Sequence, residues 1–403
     1  MNRQNELRQS LDAQFRLAKA WQMKGNVDRA INGYRQVLDV KPDYLPAALK
    51  LNNLIEEYGP RPEVVSILRD ALERCPNEAG LHKYFANALI GQSGLAEAFN
   101  YYDLKRQDEK TLTIFAQDIL CCVVVRNEAI RLPYFLAYYR GQGIDKFLVI
   151  DNNSTDNTLA FLLDQPDVYV WQSSYSFNQA NFGAGWFELL LRKYGLGHWC
   201  LIVDADELLY YRDCEHRTIV DLCKSLARAN KRAFKAVLLD MYADKPVKET
   251  HYSAGQNFLE VCPYFDRQFY HTKYENGGPF ANQTSYYGGA RERVFGRNGD
   301  YLLSKVPLLK YDLDCILAGG QHWTNLPVTD LAAESGCVLH FKYFSSFPGY
   351  VEQEVSRKEH YGHATQYREY IKGLSQEEAL TLYDEAHSVK FQDSWQLVDL
   401  GIM

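Results

Sequence analysis

A continuous apolar run in the middle of the chain ends in three carboxylates. Residues 199–211 read Trp-Cys-Leu-Ile-Val-Asp-Ala-Asp-Glu-Leu-Leu-Tyr-Tyr, and the apolar part is too short for a comfortable helix, so we expect a buried strand. At an extended strand end, Asp204 and Asp206 point to one side because side chains alternate, whereas Glu207 points to the other and is expected to be a structural acid. Two adjacent oxygen ligands suit a divalent cation that keeps water and phosphate as its other ligands. The alternative is a solvated acidic turn that closes the strand.

The length and composition indicate a globular protein of more than one domain. A chain of 403 residues exceeds what a single core usually supports, so two or three domains are expected. Hydrophobic residues make up 46% of the chain and aromatic residues 14%, which excludes a largely disordered protein. The formal net charge is −7 and no long run of Lys and Arg is present, so a nucleic-acid partner is not expected.

Cysteine usage and the apolar segments bear on the compartment. The nine cysteines are scattered and none forms a Cys-x-x-Cys pair, so we do not expect a zinc site. Cysteines used in this way indicate a reducing compartment. The amino terminus is polar and lacks the apolar core of a signal peptide, and no apolar run approaches the roughly 20 residues that span a bilayer. We therefore expect a cytoplasmic protein without a transmembrane segment; docking at the inner face of the membrane stays open.

The first 110 residues carry a repeat of 34 residues. Gly25 and Gly59 are one period apart, and so are Pro42 and Pro76. The same spacing relates two further sets of positions, Ala30, Val64 and Ala98, and Tyr34, Leu68 and Tyr102. The pattern resembles the tetratricopeptide repeat, a helix-turn-helix unit in which a small residue lets two helices approach and a proline ends the second helix. The resemblance implies an all-α domain of about three repeats over residues 1–110.

Two roles are open for this helical domain. It offers a groove for a peptide or partner protein, or it is a helical cap that only packs on the neighbouring domain. Residues 103–115 are first polar and then apolar, and we expect them to join the two domains.

From residue 119 the pattern changes to alternating strands and helices, which indicates an α/β sheet. The expected buried strands are 119–125, 147–150, 168–170 and 236–239, and the expected helices include 179–194 and 218–229. Polar residues crowd the carboxyl ends of the first two strands, where such sheets bind ligands. Helix capping would explain part of this cluster.

Three strand ends, taken in order, carry a family resemblance. They are followed by Arg126-Asn127-Glu128, by Asp151-Asn152-Asn153-Ser154-Thr155-Asp156-Asn157-Thr158, and by Asp204-Ala205-Asp206-Glu207, at intervals of about 25 and about 50 residues. The ordered trio resembles the nucleotide-sugar domain of family 2 glycosyltransferases, which have the GT-A fold, over residues 119 to about 245. The resemblance implies a GT-A domain at 111–345, with 346–403 as a C-terminal helical extension.

The resemblance also implies a site for a nucleoside diphosphate sugar, with a uridine-linked donor preferred. The residues that would line the nucleotide pocket are Arg126, Asn127, Glu128, Asp151 and Asn153. Asp204 and Asp206 would hold Mn²⁺ or Mg²⁺ against the diphosphate, where a dication neutralises the charge of the departing nucleotide. The commoner family pattern has two consecutive acids after the second strand, whereas Asn152 stands second here.

An inverting transfer needs a carboxylate that deprotonates the acceptor hydroxyl. Asp240 and Asp244 are the first candidates because they close a strand beside the metal strand. Glu292 and Asp266 compete with them. For each of the four, the alternative is a capping or ion-paired carboxylate.

Later basic residues and histidines are candidates for the phosphates and the metal. Arg291, Arg293 and Lys305 stand in a stretch that begins with two glycines; they would contact a diphosphate or an anionic sugar, or else pair with the nearby acids. His322 and His340 each follow a turn or a strand, and a late histidine completes the metal shell in several GT-A enzymes. A lone histidine is more often structural.

These observations predict a metal-dependent, inverting glycosyltransferase that transfers a sugar to a glycan or lipid-linked acceptor in bacterial surface polysaccharide synthesis. One rival is a phosphotransferase with Asp204 as nucleophile; Leu208 disfavours it, because the dehalogenase-type motif has Thr or Val there. The other rival is a non-catalytic tetratricopeptide scaffold with a degenerate transferase domain.

Overall fold

The computed structural model describes residues 2–76, 78–268, 270–275, 283–296, 301–318, 321–376 and 379–403. Helices make up almost all of the first hundred residues, and a mixed arrangement of strands and helices follows. The expected α/β class is confirmed.

Three helical hairpins precede the sheet. Their helices are α1 Asn2–Met23, α2 Val27–Val40, α3 Leu45–Tyr58, α4 Pro62–Arg74, α5 Ala79–Ser93 and α6 Leu95–Tyr101. The turns of the hairpins contain Gly25, Gly59 and Gly94, whose φ angles of 71°, 84° and 87° favour glycine. The helix-turn-helix unit expected from the repeat is therefore present, and membership of the tetratricopeptide family stays a prediction.

Small residues set the distance between the first two helices. A Cβ atom added to Gly33 on α2 would lie 2.6 Å from the Cβ of Ala18 on α1, so only glycine allows this close approach. Ala30 and Tyr34, one turn apart on α2, are fully buried. The buried face of the repeat is thus formed by the positions that recur in the sequence.

The rest of the chain contains short strands and helices around one large sheet. The strands are β1 Lys105–Arg106, β2 Ile119–Val125, β3 Lys146–Asp151, β4 Val168–Gln172, β5 Trp199–Ile202, β6 Glu207–Tyr210, β7 Ala233–Asp240, β8 Tyr264–Asp266, β9 Tyr270–Glu275, β10 Gln283–Gly288, β11 Ser304–Lys310, β12 Leu317–Ala318, β13 Trp323–Thr324, β14 Gly336–His340 and β15 Ser388–Lys390. The helices are α7 Leu132–Gly141, α8 Thr158–Leu163, α9 Ala184–Leu190, α10 Ile219–Arg228, α11 Phe258–Val261, α12 Ala290–Phe295, α13 Phe347–Arg357, α14 Tyr361–Gln376 and α15 Ser394–Asp399.

The large sheet has nine strands among the described residues, in the order β1-β4-β3-β2-β5-β11-β7-β14-β6. Strands β4, β3, β2 and β5 are parallel neighbours, while β11 runs antiparallel to both β5 and β7. Strand β1, within the expected joint at 103–115, pairs with β4 at the edge. Val125 pairs with Asp151 across β2 and β3, so the two polar clusters leave the sheet at the same edge.

The apolar run at 199–211 is not one strand. It is divided into β5, next to β2, and β6, at the far edge of the sheet, where Glu207 pairs with His340. Residues 203–206 form the loop between them and cross the ends of the intervening strands. The two acids therefore lie on a turn and not on extended backbone.

The helix expected over 179–194 is shorter than predicted. Asn181 and Phe182 have positive φ angles of 51° and 56°, so the chain turns there and α9 begins only at Ala184. A π-helical turn, Leu191–Gly195, completes it. The helix expected over 218–229 is present as α10, and the side chain of Thr218 caps its first turn.

One apolar cluster joins the hairpins to the sheet. Leu51 on α3 and Trp171 on β4 belong to the same buried cluster. A buried ion pair crosses the junction: Lys83 Nζ on α5 lies 3.2 Å from Glu188 Oε1 on α9, and Tyr311 donates to the same carboxylate at 2.9 Å. The helical part and the sheet therefore share a core.

Candidate functional site

A cavity of about 500 Å³ lies beside the carboxyl ends of β2, β3 and β5. Its polar wall includes Arg126, Glu128, Asn152, Asp204, Asp206, Glu207, Arg291, Lys305, His322, His340 and Lys342, to which α13, α14 and the turn between them add Tyr350, Glu354, Arg357, His360 and Tyr367. This edge is where α/β sheets bind their ligands.

Asp204 and Asp206 both face the cavity, and Lys305 lies beside them. The Asp204 side chain is 57% exposed and that of Asp206 18%. Lys305 Nζ lies 3.4 Å from Asp204 Oδ2 and 2.9 Å from Glu207 Oε1. Burial would lower the pKa of Lys305, but Glu207 and Asp204 outweigh it and raise the pKa. The ammonium therefore stays charged.

The expectation that Glu207 points away from Asp204 is wrong. Side-chain alternation requires extended backbone, whereas the chain turns just before Glu207. The Glu207 carboxylate accepts the backbone N–H of Asp204 at 3.1 Å and holds Lys305 from the buried side. Burial raises the pKa of Glu207, and Lys305 offsets part of that rise.

His340 connects the acidic loop to β7. Its Nε2 lies 3.4 Å from Asp206 Oδ2 and its Nδ1 lies 2.8 Å from Asp240 Oδ1, while Arg291 Nε donates to Asp240 Oδ2 at 2.8 Å. Burial would lower the pKa of His340, but the two carboxylates raise it. Burial would likewise raise the pKa of Asp206, yet His340 and Arg131 hold it well below its usual range. The contacts thus form one chain of alternating charge, which runs through Asp206, His340, Asp240 and Arg291.

Asp204 and Asp206 fit a dication that is shared with a substrate. Mg²⁺ typically takes one or two protein carboxylates and completes its shell with water and substrate phosphates. Among the described residues, no three His, Cys, Asp or Glu side chains are grouped so as to hold an ion. An ion at this loop would therefore take its remaining ligands from the substrate and from water.

In the part of the chain that the structure describes, neither His322 nor His340 forms a three-ligand group with these acids. His322 lines the cavity, and its Nδ1 must donate to the carbonyl of Ser304, which can only accept, so Nε2 keeps its lone pair. Burial lowers the pKa of His322, and the nearby Lys305 ammonium lowers it further, to about 3, so the ring is neutral. Both nitrogens of His340 face carboxylates, which leaves neither directed at an ion.

One end of the cavity is formed by residues that follow β2 and β3. Arg126 Nη1 donates to the carbonyl of Asn153 at 2.7 Å, so it joins the two strand ends. Asn152 Nδ2 donates to the carbonyl of Ser173 at 3.0 Å. Burial raises the pKa of Glu128 to about 7, although Arg131 Nη1 donates to it at 2.9 Å.

Three of the five expected nucleotide residues do not line the cavity. Asp151 is fully buried, and its carboxylate accepts the Ser154 N–H at 3.2 Å and Gln172 Nε2 at 2.8 Å. Asn127 accepts the backbone N–H of Thr155 at 2.7 Å. Asn127 and Asn153 have positive φ angles of 55° and 56°. These residues shape the loops, and the side chain that reaches the cavity after β3 is Asn152.

None of the carboxylates expected to act as the base lines the cavity. Asp240 is buried and ion-paired, as described above, and Asp244 is exposed and accepts from Tyr264 at 3.3 Å. Glu292 lies 3.9 Å from His271 Nδ1. The competitor Asp266 pairs with Arg293, a candidate for contacting the diphosphate, through contacts of 2.7 and 2.8 Å. Ion pairing, the alternative considered for Arg293 and Asp266, is what the structure shows.

Helix α13 and the turn after it form a wall of the site that the sequence did not reveal. Glu354 lies between Arg357, whose Nη1 donates at 2.6 Å, and His360, whose Nε2 is 2.9 Å away. Arg357 also donates to Asn152 Oδ1 at 3.3 Å, which ties this wall to β3. One face of α13 carries three of these side chains at helical spacing, namely Tyr350, Glu354 and Arg357. This spacing is the signal in the sequence from which the wall could have been predicted.

Comparisons with known proteins add little to this geometry. No protein-family profile and no curated protein matches the chain. Among solved structures, a mutant of the Thermobaculum terrenum O-GlcNAc transferase aligns over 40% of this chain and 40% of its own, with 17% identity and a TM-score of 0.18. A 4-diphosphocytidyl-2C-methyl-D-erythritol synthase aligns over 36% of this chain and 67% of its own, with 15% identity and a TM-score of 0.24. Such scores support no conclusion about this chain.

The lengths and compositions of the helices bear on whether any of them could span a bilayer. Within the described part of the chain, none is both long enough and apolar enough to cross a membrane.

Proposed function

We propose that the chain is a metal-assisted glycosyltransferase that takes a sugar from a nucleoside diphosphate, with a uridine-linked donor preferred. The observation that supports this is one shared cavity: Arg126 and Asn152, after β2 and β3, open into the same space as Asp204 and Asp206. The nucleoside and the dication of the proposal would thus be adjacent, at the edge of the sheet that suits nucleotides. The proposal includes the GT-A fold for 111–345 and tetratricopeptide repeats for 1–110.

The charges around the acidic loop suit a departing diphosphate. A dication held by Asp204 and Asp206 would supply a Lewis acid that neutralises the leaving group. Lys305 adds a fixed positive charge beside Asp204, and buried Glu207 keeps its ammonium in place. His340 holds the Asp206 carboxylate in one orientation through a single contact. Such preorganised charge stabilises a transition state without reorganisation.

The proposal also covers the acceptor side of the reaction. We retain a glycan or lipid-linked acceptor, inverting displacement and a role in surface polysaccharide synthesis. The proton acceptor is then a carboxylate of the cavity wall and not Asp240, Asp244 or Glu292.

A thermal-shift series with nucleoside diphosphates tests the proposal. UDP, GDP, CDP and ADP are added singly, each with and without Mn²⁺. We expect UDP to raise the melting temperature, more strongly with Mn²⁺, because a ligand that binds only the native state stabilises it by mass action. Absence of a shift with every nucleotide would overturn the proposal.

A further inference from the structure

Lys342 is a cavity cation that the proposed transfer does not use. It lies two residues beyond β14, and its ammonium is surrounded by tyrosine rings, with Nζ 4.7 Å from the ring centre of Tyr367, 5.6 Å from that of Tyr370 and 5.8 Å from that of Tyr350. In the part of the chain that the structure describes, no carboxylate forms an ion pair with it. The rings hold the ammonium without neutralising it.

The charges next to Lys342 already balance one another. Asp206, His340, Asp240 and Arg291 alternate in sign along one chain of contacts, and their formal charges sum to zero when His340 is protonated. Asp206 and Asp240 attract the Lys342 ammonium from a distance, but neither forms an ion pair with it. Burial lowers the pKa of Lys342 to about 8, which reflects the cost of removing the charged amine from water.

Two hydroxyls extend this cation into a group of hydrogen-bond donors. Lys342 Nζ donates to the Tyr367 hydroxyl at 3.1 Å, and the Tyr350 hydroxyl lies 3.3 Å from that of Tyr367. All three residues line the cavity. An ammonium has three N–H donors, of which Tyr367 uses one. An ammonium with adjacent hydroxyls is well suited to a carboxylate or phosphate, which accepts charge-assisted hydrogen bonds.

We propose that Lys342, Tyr350 and Tyr367 bind a carboxylate or phosphate group that the sugar substrate carries in addition to the diphosphate of the donor. In the sheet order, β11 and β7 separate β14 from β5, which leads to Asp204. Lys342 thus follows a strand that is not a neighbour of β2 or β3, although one cavity contains the residues after all three strands. The inference rests on the proposed function and specifies its substrate class: the transferred sugar or the acceptor is acidic.

Matched pairs of ligands that differ by one charge test the inference. The donor arm compares UDP-glucuronic acid with UDP-glucose by calorimetry, and UDP alone reports on the nucleotide site. The acceptor arm compares glucuronate with glucose and glucose 6-phosphate with glucose, each with and without saturating UDP. We expect the charged member to bind roughly tenfold more tightly in at least one arm, the size of one charge-assisted contact.

Variants assign that preference to the subsite. In Lys342→Met we expect the charged and neutral members to bind alike while the affinity for UDP stays within about twofold of wild type, and in Tyr367→Phe we expect a smaller loss of preference. Lys310→Met, which removes an exposed lysine at the end of β11, serves as the control and should keep the preference. Melting temperatures verify that each variant is folded.

The outcomes separate this inference from the proposed function. Equal binding of charged and neutral members by the wild-type protein in both arms overturns the subsite, and so does a preference that survives in Lys342→Met. If Lys342→Met lowers the affinity for UDP as much as it lowers the affinity for the charged sugar, the lysine contacts the diphosphate and the inference is wrong. If wild-type protein binds no UDP, the proposed function fails, while the free sugars still test the three residues.

Discussion

At the scale of single residues, Lys305 joins the acidic loop to a buried carboxylate. Its ammonium contacts one buried and one exposed carboxylate, Glu207 and Asp204. The closer contact, 2.9 Å, is to the buried one. Glu207 is therefore neutralised inside the protein, and Asp204 keeps an open face toward the cavity.

We expect Lys305→Met to lower the free energy of unfolding by about 3–5 kcal/mol, because removing one partner of a buried ion pair leaves the other charge uncompensated. The double variant Lys305→Met/Glu207→Gln should regain most of this loss, since a neutral amide costs less to bury. Urea unfolding of both variants, with Lys310→Met as control, measures the effect. A loss below about 1 kcal/mol in the single variant would contradict this account.

The sequence predicted some site residues and not others, for local reasons. Arg126, Asp204 and Asp206 were placed together correctly, because parallel strands present their carboxyl ends at one edge. Asp240 closes the expected strand, but its side chain is directed into an ion pair, which no local pattern encodes. Lys342 has no signal of its own in the sequence, because only the packing of the two helices that follow it brings tyrosine rings around its ammonium.

At the scale of elements, His82 connects α5 to the end of α6. Its Nε2 lies 2.7 Å from the carbonyl oxygen of Pro76 and must donate to it, so Nδ1 accepts from the Tyr102 hydroxyl at 3.0 Å. Burial lowers the pKa of His82 to about 4. The neutral ring therefore satisfies both partners.

The stability of the protein should fall as the pH is lowered from 6.5 to 4. In that interval the unfolded histidine binds a proton that folded His82 does not, so stability rises with pH and is lost on acidification, by up to about 3 kcal/mol. The variant His82→Gln lacks the titrating group and should show a flatter profile over the same interval. Urea unfolding at several pH values compares the two. Parallel profiles would contradict the neutral assignment.

Element boundaries were predictable where burial alone decides them. The strand expected at 119–125 has those bounds in the structure, because its run of apolar residues is covered on both faces. The run at 199–211 resembles one strand in the sequence because both of its halves are buried strands, and the turn between them contains neither Gly nor Pro. Hydrophobicity could not indicate that the halves belong to different parts of the sheet.

At the scale of the whole molecule, the hairpins and the sheet are not separate in their packing. They share an apolar cluster, and Lys83, Glu188 and Tyr311 form a buried polar contact across the junction. The sequence indicated a domain boundary near residue 110 from the change of periodicity. Periodicity describes each part alone and cannot show how much surface the two parts bury against each other.

We expect the full chain to unfold in one cooperative transition. Far-UV circular dichroism follows the helices, and fluorescence follows buried tryptophans such as Trp171 and Trp186; the two urea curves should coincide. Lys83→Met, which leaves Glu188 without its cation, should shift both curves together to lower urea. Loss of helical signal before any change in fluorescence would show that the hairpins are an independent unit.

The central claim is that the acidic loop holds a metal ion against a nucleoside diphosphate. The most direct test is calorimetric titration of UDP into the wild type, Asp204→Asn, Asp206→Asn and the exposed control Asp399→Asn, each with and without Mn²⁺. We predict that Mn²⁺ tightens UDP binding at least roughly tenfold in the wild type and the control, and that this gain is lost in both loop variants. UDP affinity that does not depend on Mn²⁺, or a gain that survives in both loop variants, would contradict the claim.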